Sequence, residues 1–166
     1  MHVADGAAYN TSITLTDVTP LPQIQFPAMM LEAGSELELN ASGSFSNTGT
    51  PTLLLGFYFG GVAGVALAAS AAVTTTTAAA SWPWQLHYRG VVRSIGTAGS
   101  IQGQGRLYLP TAINVFQVRA IPETLAARTV TINTTIVQNI TVGAQWGTSS
   151  ASNTLTVNDI SVKLVT

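Results

Sequence analysis

The sequence predicts an all-β protein: an antiparallel jelly-roll sandwich or barrel of about eight to ten strands, preceded by an extended N-terminal arm. Three observations lead there. Apolar residues recur with period two in segment after segment. Clusters of Gly, Ser, Asn, Thr and Pro separate those segments. No stretch carries a strongly amphipathic helical pattern, and no internal repeat points to a propeller or solenoid.

Residues 1–30 read as the arm and residues 31–166 as the jelly-roll domain. Pro20, Pro22 and Pro27 oppose a helix in the arm and favour an extended or edge-strand path. Two readings stay open. The segment crosses its own module or a neighbour, or it pairs as a first strand within the same sheet. Next, Leu37, Leu39, Ala41, Gly43 and Phe45 alternate with Glu36, Glu38, Asn40, Ser42 and Ser44, which describes a strand buried on one face. Leu53 to Val73 is 21 uncharged, mostly apolar residues, long enough to span a bilayer. The absence of Lys and Arg from residues 1–88 removes a positive-inside anchor, and Gly60-Gly61 is hairpin-turn chemistry. The stretch therefore divides into strands at Thr52–Phe59 and Val62–Ala68, and TTTTAAA at Thr74–Ala80 reads as a loop.

The hairpin that follows is the centre of the module. Trp84, Leu86, Tyr88, Gly90 and Val92 take one face of its first strand, and Gln85, His87, Arg89, Val91 and Arg93 take the other. Gly96-Thr97-Ala98-Gly99 is the turn. The return strand, Ser100 to Leu109, places Ile101, Leu107 and Leu109 with the buried face and Gln102, Gln104, Arg106 and Tyr108 with the polar one. Asn114 to Ala120 is a further short strand, followed by a loop with Pro122 and an extended Ala126 to Ile132. Ile136, Gln138, Ile140, Val142, Ala144 and Trp146 share one face of another strand. In the last, Leu155 and Val157 share a face with Ile160, Val162 and Leu164 if Asn158-Asp159 forms a bulge.

Composition narrows the function. The chain is 46% hydrophobic and 8% charged, with a formal net charge of -1, against a usual charged share of about 25%. Six Lys and Arg residues do not make the basic stripe of a nucleic-acid binder. So little charge protects weakly against association, which favours a surface partly covered by partner subunits. There are no cysteines, hence no disulfide or thiolate metal site. The N-terminal residues lack the basic and apolar regions of a secretory signal, so the sequons at Asn10, Asn40, Asn133 and Asn139 read as chance matches.

Catalytic constellations are not apparent, and the expectation is a non-enzyme with no cofactor and no metal. His2 is terminal, and His87 reads as a solvent- or interface-facing residue of the polar strand face. Glu36 and Glu38 lie about 6.6–6.8 Å apart along a strand, a spacing that admits glycoside hydrolysis, but a solvated sheet face is the simpler account. Gly103-Gln104-Gly105 matches only the start of a dinucleotide fingerprint, with no helix after it. Residues 1–40 hold five of the seven acids and no base, whereas Arg89, Arg93 and Arg106 gather on one hairpin face. These arginines, with His87, are candidates for a subunit interface against an acidic arm or edge, within one chain or between chains. Trp84 and Trp146 belong to predicted core faces. Trp82, read as a loop residue before Pro83, is the candidate glycan contact, together with the loops at 96–99 and 147–153.

Several phrases carry a resemblance: SNTGTPTL at Ser46–Leu53, WPWQL at Trp82–Leu86, VVRSIGTAG at Val91–Gly99, QGRL at Gln104–Leu107, and ITVGAQWGTSSASNTLTV at Ile140–Val157. Over about residues 34–165 the chain resembles small virion proteins of tailed bacteriophages, of the kind common among phages of actinobacteria, built on a jelly-roll module. The resemblance implies a capsid decoration (cement) protein on the outer surface of the phage head, assembled in the host cytoplasm. Its implied partners are further copies of itself, as a homotrimer, and the major capsid protein, with no nucleic acid and no membrane. A tail or fibre module for host recognition is the alternative. The group is not enzymatic, so no catalytic residue carries over, and the first 30 residues lie outside the resemblance.

Overall fold

The computed structural model describes residues 5–112 and 115–166. His2, and Asn114 at the start of one expected strand, lie outside the described residues. The strands are β1 (Tyr9–Asn10), β2 (Thr16–Asp17), β3 (Ile24–Phe26), β4 (Glu36–Ser46), β5 (Thr52–Phe59), β6 (Val65–Ala69) and β7 (Val73–Thr74). They continue with β8 (Trp82–Ser94), β9 (Gly99–Ala112), β10 (Val115–Ile121), β11 (Thr129–Ile132), β12 (Gln138–Trp146) and β13 (Thr154–Val165). A short 3-10 turn at Ala126–Arg128 precedes β11. Eight strands have five or more residues, and the other five have two to four.

Two antiparallel sheets pack face to face as a sandwich, not a closed barrel. The larger runs β1-β13-β4-β8-β9-β10, with β11 also on β9. The smaller runs β2-β12-β5-β6, with β3 on β12 and β7 on β5. The ribbon β4–β5 lies antiparallel beside the ribbon β12–β13 across both sheets, the wrapped pairing of a jelly roll. The strands β8, β9 and β10 then extend the larger sheet as a meander.

Alternation decides which side chains fill the core. Trp84, Leu86, Tyr88 and Val92 of β8 are buried, as are Leu37, Leu39 and Phe45 of β4. Ile140, Val142, Ala144 and Trp146 of β12 meet them from the other sheet. Three glycine positions of the larger sheet lie against aromatic rings. A Cβ on Gly43 would lie 2.8 Å from the Trp84 indole. A Cβ on Gly103 would lie 2.5 Å from Cζ of Tyr88, and one on Gly90 2.8 Å from the same atom. The facing pair Gly90 and Gly103 therefore makes room for the Tyr88 ring. That accounts for Gly103 of the Gly-Gln-Gly phrase; Gly105 is set by the backbone instead, since a Cβ there would overlap the His87 carbonyl oxygen. In β13 the register shifts between Val157 and Asp159, so Asn158 is the bulge that keeps Ile160 inward.

Residues 53–73 form β5, β6 and the start of β7, and no described helix is long and apolar enough to cross a membrane. Gly60 and Gly61 both have positive φ (85° and 80°), but the loop extends to Gly64 and β6 begins at Val65, later than expected. Ile136 also departs from expectation: it precedes β12 and is exposed. The 75–81 loop is anchored by buried Asn47. Its Nδ2 donates to Thr75 Oγ1 (2.5 Å) and the Thr76 carbonyl (2.7 Å), and its Oδ1 accepts from the Ala79 N–H (2.9 Å).

The described residues of the arm lie on the chain's own sheets. The strand β1 pairs with β13, while β2 and β3 pair with β12, so the segment passes from one sheet to the other. Val18 N–H donates to the Val142 carbonyl at 2.9 Å, and Gln145 Nε2 donates to the Ile13 carbonyl at 2.7 Å.

Candidate binding groove and apolar surfaces

The outer face of the larger sheet is built from the polar positions of β4, β8 and β9. Register sets His87 beside Asn40 and Arg106, and Arg89 beside Glu38 and Gln104. Arg89 Nη2 donates to Glu36 Oε1 at 2.6 Å, one strand position along. That bond, and the charge of Glu36, raise the Arg89 pKa further above its ordinary value. His87 Nε2 lies 3.7 Å from Glu38 Oε1. Arg93 donates to Gln102 Oε1. Within the chain, the acids beside the hairpin among the described residues are Glu36 and Glu38 of β4, an interior strand of the same sheet, rather than acids of the arm. Asp17 of β2 accepts from Thr19 N–H and Gln23 Nε2 on the other sheet.

Part of this face is concave. A groove of about 770 Å³ is lined by Arg89, His87, Gln102, Gln104, Arg106 and Tyr108 from the sheet, with Glu36 at its margin. The β10–β11 connection supplies Leu125 and Arg128 as a wall. Among the described residues Arg106 forms no ion pair and no side-chain hydrogen bond. Arg128 Nε is buried without a hydrogen-bond partner. The groove brings together three of the four interface candidates, Arg89, Arg106 and His87; Arg93 stands outside its lining. Arg128 and Tyr108 were not foreseen as site residues. Arg128 comes from a connection whose path has no periodic signal.

The remaining candidates separate. Trp82 is not in a loop: it opens β8, pairs with Phe45 and packs its half-buried ring edge-on to Phe45, centroids 6.4 Å apart. It lies at the opposite end of β8 from the 96–99 turn. The 147–153 loop joins β12 to β13 at the Trp82 end. The expected glycan surface is therefore not one place. Of the arm residues, Tyr9 and Phe26 are buried in the core, Leu15 is half-buried, and Ile13 and Leu21 are 54% and 81% exposed. Only the last two point outward enough for a contact. Glu36 and Glu38 sit side by side on one strand, engaged by Arg89 and His87, and Glu36 is the one carboxylate among the described residues that line the groove. No group of three or more His, Cys, Asp or Glu side chains able to hold a metal occurs among the described residues.

Most of the exposed large hydrophobics among the described residues fall in two groups. At one end of the sandwich, Thr134 ties two loops together: its carbonyl accepts from Met29 N–H (2.8 Å) and its Oγ1 from Gly96 N–H (2.8 Å). Met29, Met30, Ile95, Ile136 and Val137 are exposed around that junction. Along the sheet edge, Val115, Phe116 and Val118 of β10 are exposed, with Leu125 beyond them. Comparison with protein-family models, curated proteins and solved structures gives no match.

Proposed function

We propose that this chain is a structural, non-catalytic protein of a phage virion, a decoration protein held on the outside of the head as a homotrimer. One observation carries the proposal: among the described residues, nine of the twelve exposed large hydrophobics fall in the end cluster or on β10 and the Leu125 connection beyond it, on a chain with only 8% charged residues. Apolar patches concentrated in this way mark contact surfaces. The end cluster, with Leu21 of the arm, is the surface offered to the major capsid protein. The β10 edge is the surface offered to the next subunit, and a ring of three requires such a head-to-tail contact. The 770 Å³ groove favours a second reading, a tail or fibre module that recognises cell-surface glycan.

Two measurements test the proposal. Mass in solution should give three chains. Quantification on purified particles should give hundreds of copies, whereas a handful would place the protein on the tail. A strictly monomeric protein without affinity for capsids would overturn the decoration reading.

A further inference from the structure

We infer that the groove on the outer face of β8 and β9 binds an acidic oligosaccharide, with Arg106 and Arg128 receiving a sugar carboxylate. Its volume of about 770 Å³ falls within the ordinary range for ligand sites, about 300–1,000 Å³. Its charge is cationic. Arg89, Arg106 and Arg128 line it against one carboxylate, Glu36, which is already bonded to Arg89; Glu38, outside the lining, lies 3.7 Å from His87 Nε2. Arg106 makes no side-chain bond among the described residues, and Arg128 carries a buried Nε with no acceptor. Both guanidinium groups have donors to give, and a planar carboxylate matches their forked geometry.

The neutral part of the lining narrows the class. Gln102 and Gln104 present amide donors and acceptors to hydroxyl groups, and Tyr108 offers a ring for a sugar face. The aliphatic side chains of the lining are Leu125, Val91 and Ala120, and Gly90, Gly103 and Gly105 leave the sheet surface open beside the Tyr108 ring, a flat apolar floor suited to a sugar face. A polynucleotide would need a longer basic stripe, and this chain carries a net charge of -1. Hydroxyl-rich, singly charged units fit the mixture of amide, phenol and guanidinium best. The inference stands on the groove alone and holds whether the protein decorates a head or tips a tail.

The test is a titration of the full chain with uronic-acid tetrasaccharides, followed by calorimetry and backbone amide shifts. Their carboxyl-reduced counterparts and a glutamate tetrapeptide serve as controls. Binding of the acidic sugars is expected, with shifts confined to β8, β9 and the 122–128 connection. Carboxyl reduction, Arg106→Gln and Arg128→Gln should each weaken it by about ten- to a hundred-fold, the worth of a charge-assisted hydrogen bond. Trp82→Ala should leave it unchanged, and unaltered melting curves would show that the glutamine variants fold. No binding by the acidic panel, equal binding after carboxyl reduction, or tighter binding of the glutamate peptide would each overturn the inference.

Discussion

The larger sheet ends on two edges built in opposite ways. Along β13 the edge is guarded. Asn158 bulges out, Asp159 and Lys163 are exposed charges, β1 pairs with Thr154 and Leu155, and Gly6 N–H donates to the Val157 carbonyl at 2.9 Å. Bulges, charges and covering strands are the usual means of preventing edge-to-edge association. Along β10 these devices are sparse. The strand has no Pro, Lys or carboxylate, and the guanidinium of Arg119, its single charge, lies 3.3 Å from Glu123. Its register does shift near Val115, but Phe116 and Val118 beyond that point are 60% and 55% exposed. The difference teaches that low charge is not a uniform property of this surface. One edge carries the devices that block pairing, and the other leaves large apolar side chains exposed.

Breaking the bare edge should have the largest effect. Phe116→Lys combined with Val118→Lys places two cations where β10 is apolar. It is expected to convert the proposed trimer to monomers, read by light scattering, while the far-ultraviolet spectrum keeps its β signature. A trimer of unchanged mass would place the subunit contact elsewhere.

The guarded edge should instead respond through stability. Ile160 is fully buried behind the Asn158 bulge. Ile160→Ala is expected to cost about 2–5 kcal/mol in urea unfolding, the range for emptying a core site. Val118→Ala, measured on the monomeric variant background, should stay within about 0.5 kcal/mol. Similar losses at the two positions would mean that β10 is covered by its own chain.

Both edges are joined through β8 and β9, and those strands were the most legible part of the sequence. Strict period two over Trp84–Arg93 and Ile101–Leu109 matches the buried faces residue by residue, apart from Gly103, which is partly exposed. The bulge in β13 was legible for the same reason, because it alone reconciles Val157 with Ile160. The short strands of the arm were not. Two or three residues carry no period, and their pairing depends on the open edges of β12 and β13. The groove was half legible: alternation put Arg89, Arg106 and His87 on one face, but Arg128 arrives through an irregular connection. The bareness of β10 was hidden too, since its alternation does not reveal that neither face is covered.

Gly103→Ala probes that shared hairpin. The new methyl would overlap the Tyr88 ring, which is fully buried and has nowhere to retreat. Overpacking of this kind costs about 1–3 kcal/mol. Tyr88→Phe in the same chain should recover part of the loss, because the phenol oxygen is the nearest atom to the added methyl.

The smallest effect concerns that phenol itself. Tyr88 Oη is buried without a hydrogen-bond partner, and desolvation raises its pKa well above the ordinary value; Tyr58 is raised for the same reason. In the unfolded chain a tyrosine loses its proton near pH about 10. Above that pH the folded chain still holds a proton that the unfolded chain has released. Stability from this source is therefore complete below about pH 10 and falls as pH rises further. Removing the unpaired hydroxyl should make Tyr88→Phe equal to or about 1 kcal/mol more stable than the parent at neutral pH. The variant should also lose stability less steeply in alkali. A Tyr88→Phe protein with the parent's alkaline slope would mean that Tyr58, or the charge balance along the two edges, governs that loss.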